Sequence, residues 1–166
     1  TSYDASLLSS VTALEITATG GATTFTNLTA AQASDITITG AVHANGVTFS
    51  LANAVCTPDE LTLKLGATST ATGAAVDADS ITANGFETLK LASIHGASAT
   101  AANKVATVAD FTVDAATSIV LTGSSFNLEN VATAKAVTID ATALTGNGAA
   151  TSLGLVAAGS LFAAST

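Results

Sequence analysis

Val47-Thr48-Phe49-Ser50-Leu51 and Leu61-Thr62-Leu63-Lys64-Leu65 carry the pattern that decides the fold. Apolar side chains alternate with hydroxyl or charged ones, so one face of an extended segment is apolar and the other polar. β-Branched Thr and Val favour that extended backbone. Upstream, the same alternation marks Leu14-Glu15-Ile16-Thr17, Phe25-Thr26-Asn27-Leu28 and Ile36-Thr37-Ile38-Thr39. Downstream it returns in Leu89-Lys90-Leu91, Phe111-Thr112-Val113, Ile119-Val120-Leu121, Phe126-Asn127-Leu128, Val137-Thr138-Ile139 and Leu153-Gly154-Leu155. Small turn residues separate the bursts, among them Gly20-Gly21, Asn45-Gly46, Gly66, Asn84-Gly85 and Gly123.

Short strands at such spacing suit a sandwich, a barrel or a β-solenoid. Small residues fill strands and turns alike, Thr recurs where stacked coils would align hydroxyls, and large rings are scarce. The expected fold is therefore all-β, a parallel β-solenoid with short strands and Gly/Asn turns; an antiparallel β-sandwich is the alternative. With coils of roughly 20–24 residues at the ~4.8 Å strand spacing, the chain makes about seven coils and a rod of some 33 Å. Ala30-Ala31-Gln32-Ala33 and Thr100-Ala101-Ala102-Asn103-Lys104 are expected as short helical turns at corners, and Thr68 to Ala75 as the most loop-like stretch.

Residues 1–166 read as a single module, with no linker inside it. The chain opens on Thr1 and shows no signal peptide, so it is expected to be a piece of a longer protein. Charged residues are only 10% of the chain, and twelve acids face Lys64, Lys90, Lys104 and Lys135, a net charge of −8. An acidic chain without Arg lacks the basic footprint that nucleic acid requires. No apolar run reaches the roughly 20 residues of a membrane helix. A lone cysteine, Cys56, excludes an internal disulfide and reads as a small apolar residue before the Pro58 turn.

Several segments, taken in order, carry a resemblance: Gly21-Ala22-Thr23-Thr24-Phe25-Thr26-Asn27, then Asn84-Gly85-Phe86-Glu87-Thr88-Leu89-Lys90-Leu91, then Ala116-Thr117-Ser118-Ile119-Val120-Leu121-Thr122-Gly123, then Val137-Thr138-Ile139-Asp140-Ala141-Thr142-Ala143-Leu144-Thr145-Gly146. This order is similar to that in RTX-type, type-I-secreted bacterial surface-layer (S-layer) proteins, over about residues 20–150. The resemblance implies an extracellular, cell-surface module that self-associates into a calcium-dependent lattice. Contact with cell-surface polysaccharide would fall to other regions of the parent. Large RTX adhesins share the same segments, so a stalk or binding module is the alternative. The G-G-x-G-x-D calcium repeat of the group is absent, so no metal ligand transfers by motif.

Read from the residues alone, calcium is still the best-motivated ligand, because it takes carboxylate and carbonyl oxygens from loops. Asp77 and Asp79 form a D-x-D spacing, and alternate residues of an extended segment point the same way. Asp59-Glu60 is a second acidic pair. Asp110 and Asp114 flank a strand and stand further apart. The bland reading of all these acids is solvated charge that keeps an apolar chain soluble.

No catalytic set is visible. G-x-S-x-G is missing, and His43 and His95 sit in separate turn-like contexts without the clustering that a triad or a zinc site needs. A polysaccharide-active β-helix enzyme would combine clustered acids with a basic residue, often Arg; here the acids are scattered and there is no Arg. Thr-x-Thr occurs at Thr17, Thr37, Thr68 and Thr70, but at irregular spacing, so an ice-binding array gives way to plain polar-face strand residues.

Overall fold

The computed structural model describes residues 1–17, 20–39, 45–54, 58–67, 76–96 and 98–146, and the backbone of 155–157. His43, Cys56 and the Thr68–Ala75 stretch lie outside the described residues.

Fourteen strands are described. They are β1 (Ser2–Asp4), β2 (Leu14–Ile16), β3 (Thr23–Leu28), β4 (Ile36–Ile38), β5 (Val47–Leu51), β6 (Glu60–Ala67) and β7 (Val76–Asp77). The second half supplies β8 (Ser80–Asn84), β9 (Thr88–His95), β10 (Val105–Val113), β11 (Ser118–Gly123), β12 (Ser125–Thr133), β13 (Thr138–Leu144) and β14 (Leu155–Ala157). One sheet runs β1-β3-β5-β8-β10-β12-β14, with β7 also beside β10; the other runs β2-β4-β6-β9-β11-β13. The chain crosses between the sheets at each step, apart from the β7–β8 break, and each crossing adds a strand in chain order.

Every described pairing is parallel. The fold is therefore all-β with parallel strands in two sheets, and the antiparallel sandwich is overturned. The physical reason is the connection length. Parallel neighbours need a crossover, and here the crossover is the strand donated to the opposite sheet.

Inward rows make one core between the sheets. Leu14, Ile36, Leu63, Leu91 and Leu121 follow one another across the second sheet. Phe49, Phe86, Phe111 and Phe126 are fully buried between the layers. At one end the rings of Tyr3, Phe25 and Phe49 stack in line, with centroids 5.4 and 5.8 Å apart. On the outer face of the first sheet, Thr24, Thr48, Thr82 and Thr112 pair in register. The hydroxyl ladder expected from composition is present, although the sequence spacing between its rungs is irregular. Loops of unequal length absorb the difference: Ser118 pairs with Thr138, whereas Val47 pairs with Ile81.

Corners are fixed by short, specific devices. The expected helical turn at 30–33 is α1 (Ala30–Ala33), closed by a capping box between Thr29 and Gln32. Buried Gln32 then donates its side-chain amide to the carbonyls of Ala5 and Leu8, each at 3.1 Å, tying this corner to the 3-10 turn Ala5–Leu7. The second expected turn is the 3-10 segment Ala102–Lys104. Gly123 has φ +88, and a Cβ there would lie 2.1 Å from the Ser93 carbonyl oxygen. Only glycine lets the two strands approach this closely.

Candidate functional site

The twelve carboxylates are the chemistry available, and their placement follows from the turns. Asp77 ends β7, and its Oδ1 accepts the backbone N–H of Asp79 at 3.0 Å. Asp79 has φ +51, a left-handed conformation that Asp tolerates better than most residues. Its Oδ2 accepts the N–H of Asn45 at 3.1 Å, and its carbonyl accepts from Ala109 and Asp110. The D-x-D segment is thus a break between two strands, not one extended stretch. The left-handed backbone at Asp79 interrupts the extended alternation, while β7 and β8 both keep parallel to β10. Each of the two carboxylates is occupied by a backbone donor.

Asp59 and Glu60 open β6. The carbonyl of Asp59 accepts from Glu87 and Thr88, that of Glu87 accepts from Thr117 and Ser118, and that of Thr117 accepts from Thr138. Strand starts are thereby stacked across β6, β9, β11 and β13. Three of the segments quoted in the sequence comparison, those containing Glu87, Ser118 and Thr138, are neighbouring strands of this one sheet. Glu60 pairs with Lys90 at 2.7 Å and accepts from Thr62.

Asp59 stands apart from the other acids. Eleven of the twelve accept a hydrogen bond or ion pair: Asp35 from Lys64, Asp110 from Asn130, Asp114 from the Gly85 N–H, Glu129 from Asn127, Glu15 from Thr39, Glu87 from the Asp59 N–H, and Asp4, Glu60, Asp77, Asp79 and Asp140 as described above or below. The Asp59 carboxylate accepts none among the described residues, and its Oδ2 is buried. A buried carboxylate oxygen without a donor carries a desolvation cost that a cation or a proton would remove. Glu87 Oε2 lies 2.7 Å from the Asp59 nitrogen, so a second carboxylate belongs to the same turn. Sequence reading named Asp59 and missed Glu87, which lies 28 residues on, just before the neighbouring strand β9. No group of three or more His, Cys, Asp or Glu residues suited to a metal occurs among the described residues.

Two exposed acids have depressed pKa values. Hydrogen bonds from the Ser6 hydroxyl, the Asn27 amide and the Ser6 N–H hold Asp4 below its ordinary 3.8. The Thr142 hydroxyl and N–H do the same for Asp140. His95 is half-buried, with Nδ1 3.0 Å from the Gly96 carbonyl oxygen. Asp110 lies within β10 rather than flanking it, and Asp114 follows that strand.

The outer face of the second sheet holds a feature that the sequence did not reveal. Glu15, Thr37 and Lys64 form one outward row across β2, β4 and β6. The short strands β2 and β4 end at Ile16 and Ile38, while β6 and β9 run on to Ala67 and His95. The step leaves a recess of about 300 Å³ lined by Glu15, Thr37, Thr39, Lys64, Gly66, Ala67 and Ile94.

β1 and β2 are the first described strands of the two sheets. Among the described strands, β1 pairs only with β3 and β2 only with β4. The three exposed large apolar residues among those described, Tyr3, Leu7 and Leu8, lie on β1 or between β1 and β2. No helix is long and apolar enough to cross a membrane among the described residues. No protein-family model matches the chain, and neither the curated proteins nor the solved structures contain a significant match to it.

Proposed function

We propose that the chain is a parallel β-solenoid and a structural module of a secreted bacterial surface protein, whose work is to pack against copies of itself. The observation that carries this reading is the exposed apolar group beside β1. Apolar side chains grouped on a surface mark a contact site. Here Leu7 is 81% exposed, with Tyr3 and Leu8 beside it. The ring stack of Tyr3, Phe25 and Phe49 supplies a rung on which a further aromatic or aliphatic side chain would sit.

Structural duty also accounts for the acids, since eleven of twelve carboxylates are engaged in turns, ladders or ion pairs. Assembly in a cell-surface lattice of the S-layer kind, after type-I secretion, is the setting that the segment order suggests. Calcium fits this reading at Asp59, where the unpartnered oxygen and the neighbouring Glu87 offer hard oxygen donors; two carboxylates fall short of the six to eight ligands calcium takes. Backbone carbonyls, water or a neighbouring copy would complete the shell. Asp77 and Asp79 are less suited, because backbone N–H groups occupy them.

Sedimentation velocity on the wild type and on Leu7→Asp, with and without millimolar calcium, tests the proposal. Concentration-dependent association that the variant loses supports it. A wild type that stays monomeric at every concentration, with and without calcium, refutes it.

A further inference from the structure

We propose that the recess on the outer face of the second sheet is a binding subsite for one neutral pyranose unit of a glycan. The recess is on a sheet face, and its Glu15 wall belongs to β2, the edge strand of that sheet among those described.

The recess has two kinds of wall. Gly66, Ala67 and half-buried Ile94 form an apolar side. Gly66 presents bare backbone there, and a Cβ at that position would run into the Ile94 carbonyl oxygen. Glu15, Thr37, Thr39 and Lys64 form the polar side. A pyranose ring has the matching division, with an axial C–H face and an equatorial rim of hydroxyls.

The donor and acceptor set fits hydroxyls. The Glu15 carboxylate is acceptor-only, and its single described partner is the Thr39 hydroxyl at a long 3.5 Å. Threonine hydroxyls both donate and accept, and Lys64 has donors to spare beyond the one spent on Asp35 at 2.8 Å. Adjacent hydroxyls of a sugar alternate as donor to a carboxylate and acceptor from an ammonium, which this row supplies in sequence across β2, β4 and β6.

Charge selects the neutral class. Lys64 is already neutralised by Asp35, so no free cation calls for an anionic sugar. Glu15 and a net charge of −8 disfavour one further. The volume of about 300 Å³ is at the small end of ligand pockets, enough for one ring and not for a longer segment.

Amide NMR titration with methyl glycosides of glucose, galactose, mannose and N-acetylglucosamine tests the assignment on the whole chain. Saturable shifts confined to Glu15, Thr37, Thr39, Lys64 and Ile94 are expected with at least one glycoside. Glu15→Gln, an exposed and shape-preserving change, should weaken that binding about tenfold, as loss of a hydrogen bond to a charged group does. Glu129→Gln, on the other sheet, should leave it unchanged. An oligosaccharide of the bound sugar that binds more tightly identifies a polymer as the source, and equal affinity identifies a single unit. No saturable shift with any glycoside, shifts only with free amino acids, or Glu15→Gln binding as well as wild type would each overturn the proposal.

Discussion

Asp59 donates its backbone N–H to Glu87 Oε2 at 2.7 Å, and its own Oδ2 is buried with no donor. The two acids thus stabilise one turn and burden it with two negative charges. Replacing Asp59 by Asn removes one charge and supplies a donor. In the absence of calcium, Asp59→Asn should raise stability by about 1 kcal/mol. Added calcium should stabilise the wild type and leave the variant unmoved. Urea melts with and without the ion check both parts; a variant less stable than wild type in chelator would show that the carboxylate is not under strain.

Gln32 joins α1 to the 3-10 turn Ala5–Leu7 through a single side chain. Its Oε1 accepts from the Thr29 N–H, and its Nε2 donates to Ala5 and Leu8. Gln32→Ala loses the capping box and leaves two carbonyls without their donor, a cost of about 3 kcal/mol. Gln32→Glu keeps the shape and the acceptor but not the donor, so it should also destabilise, and more than a surface substitution would. Denaturant melts of both variants measure this, and hydrogen exchange should show the loss concentrated around Ala5–Leu8.

Gly123 is constrained twice, by its positive φ and by the Ser93 carbonyl. Gly123→Ala should cost at least about 2 kcal/mol. An exchange to Ala at Gly20, where nothing lies within 4 Å and φ is not in the left-handed region, should be nearly neutral. Equal melting points for the two variants would contradict the close packing of β9 against β11.

Acid should loosen the two ends of the stack. Asp4 belongs to β1 and Asp140 to β13, and hydrogen bonds hold both below the ordinary 3.8 in the folded chain. A depressed folded pKa gives stability that is present above the unfolded pKa and lost as pH falls through the folded value. Ser6 and Thr142 amide resonances should therefore shift with midpoints below 3.8. Midpoints at or above that value would mean that the hydrogen bonds to these carboxylates do not form in solution.

Much of the fold was legible because alternation is a local signal. Val47–Leu51 is a strand from end to end as read, and the turn at Ala30–Ala33 falls where its composition placed it. Strands β7 and β8 were not legible: Ser80-Ile81-Thr82-Ala83-Asn84 has a single large apolar residue, and β8 is held between β5 and β10. The site was less legible than the fold. Asp59 was visible as an acid beside a turn, but Glu87 reaches it only through the pairing of β6 with β9, and loops of unequal length hide that register. Asp79 takes a left-handed backbone, which the D-x-D spacing alone does not show. The recess depends on where β2 and β4 stop, a boundary set by neighbouring strands.

Hydrogen exchange of β1 and β2 in dilute and in concentrated solution with calcium tests the central claim most directly, because the exposed Tyr3, Leu7 and Leu8 lie on β1 or between these strands. If copies pack there, the amides of Tyr3 and Glu15 gain protection as concentration rises, and Leu7→Asp abolishes the gain. Unchanged exchange across that range, from a protein that sediments as a monomer throughout, would contradict the account.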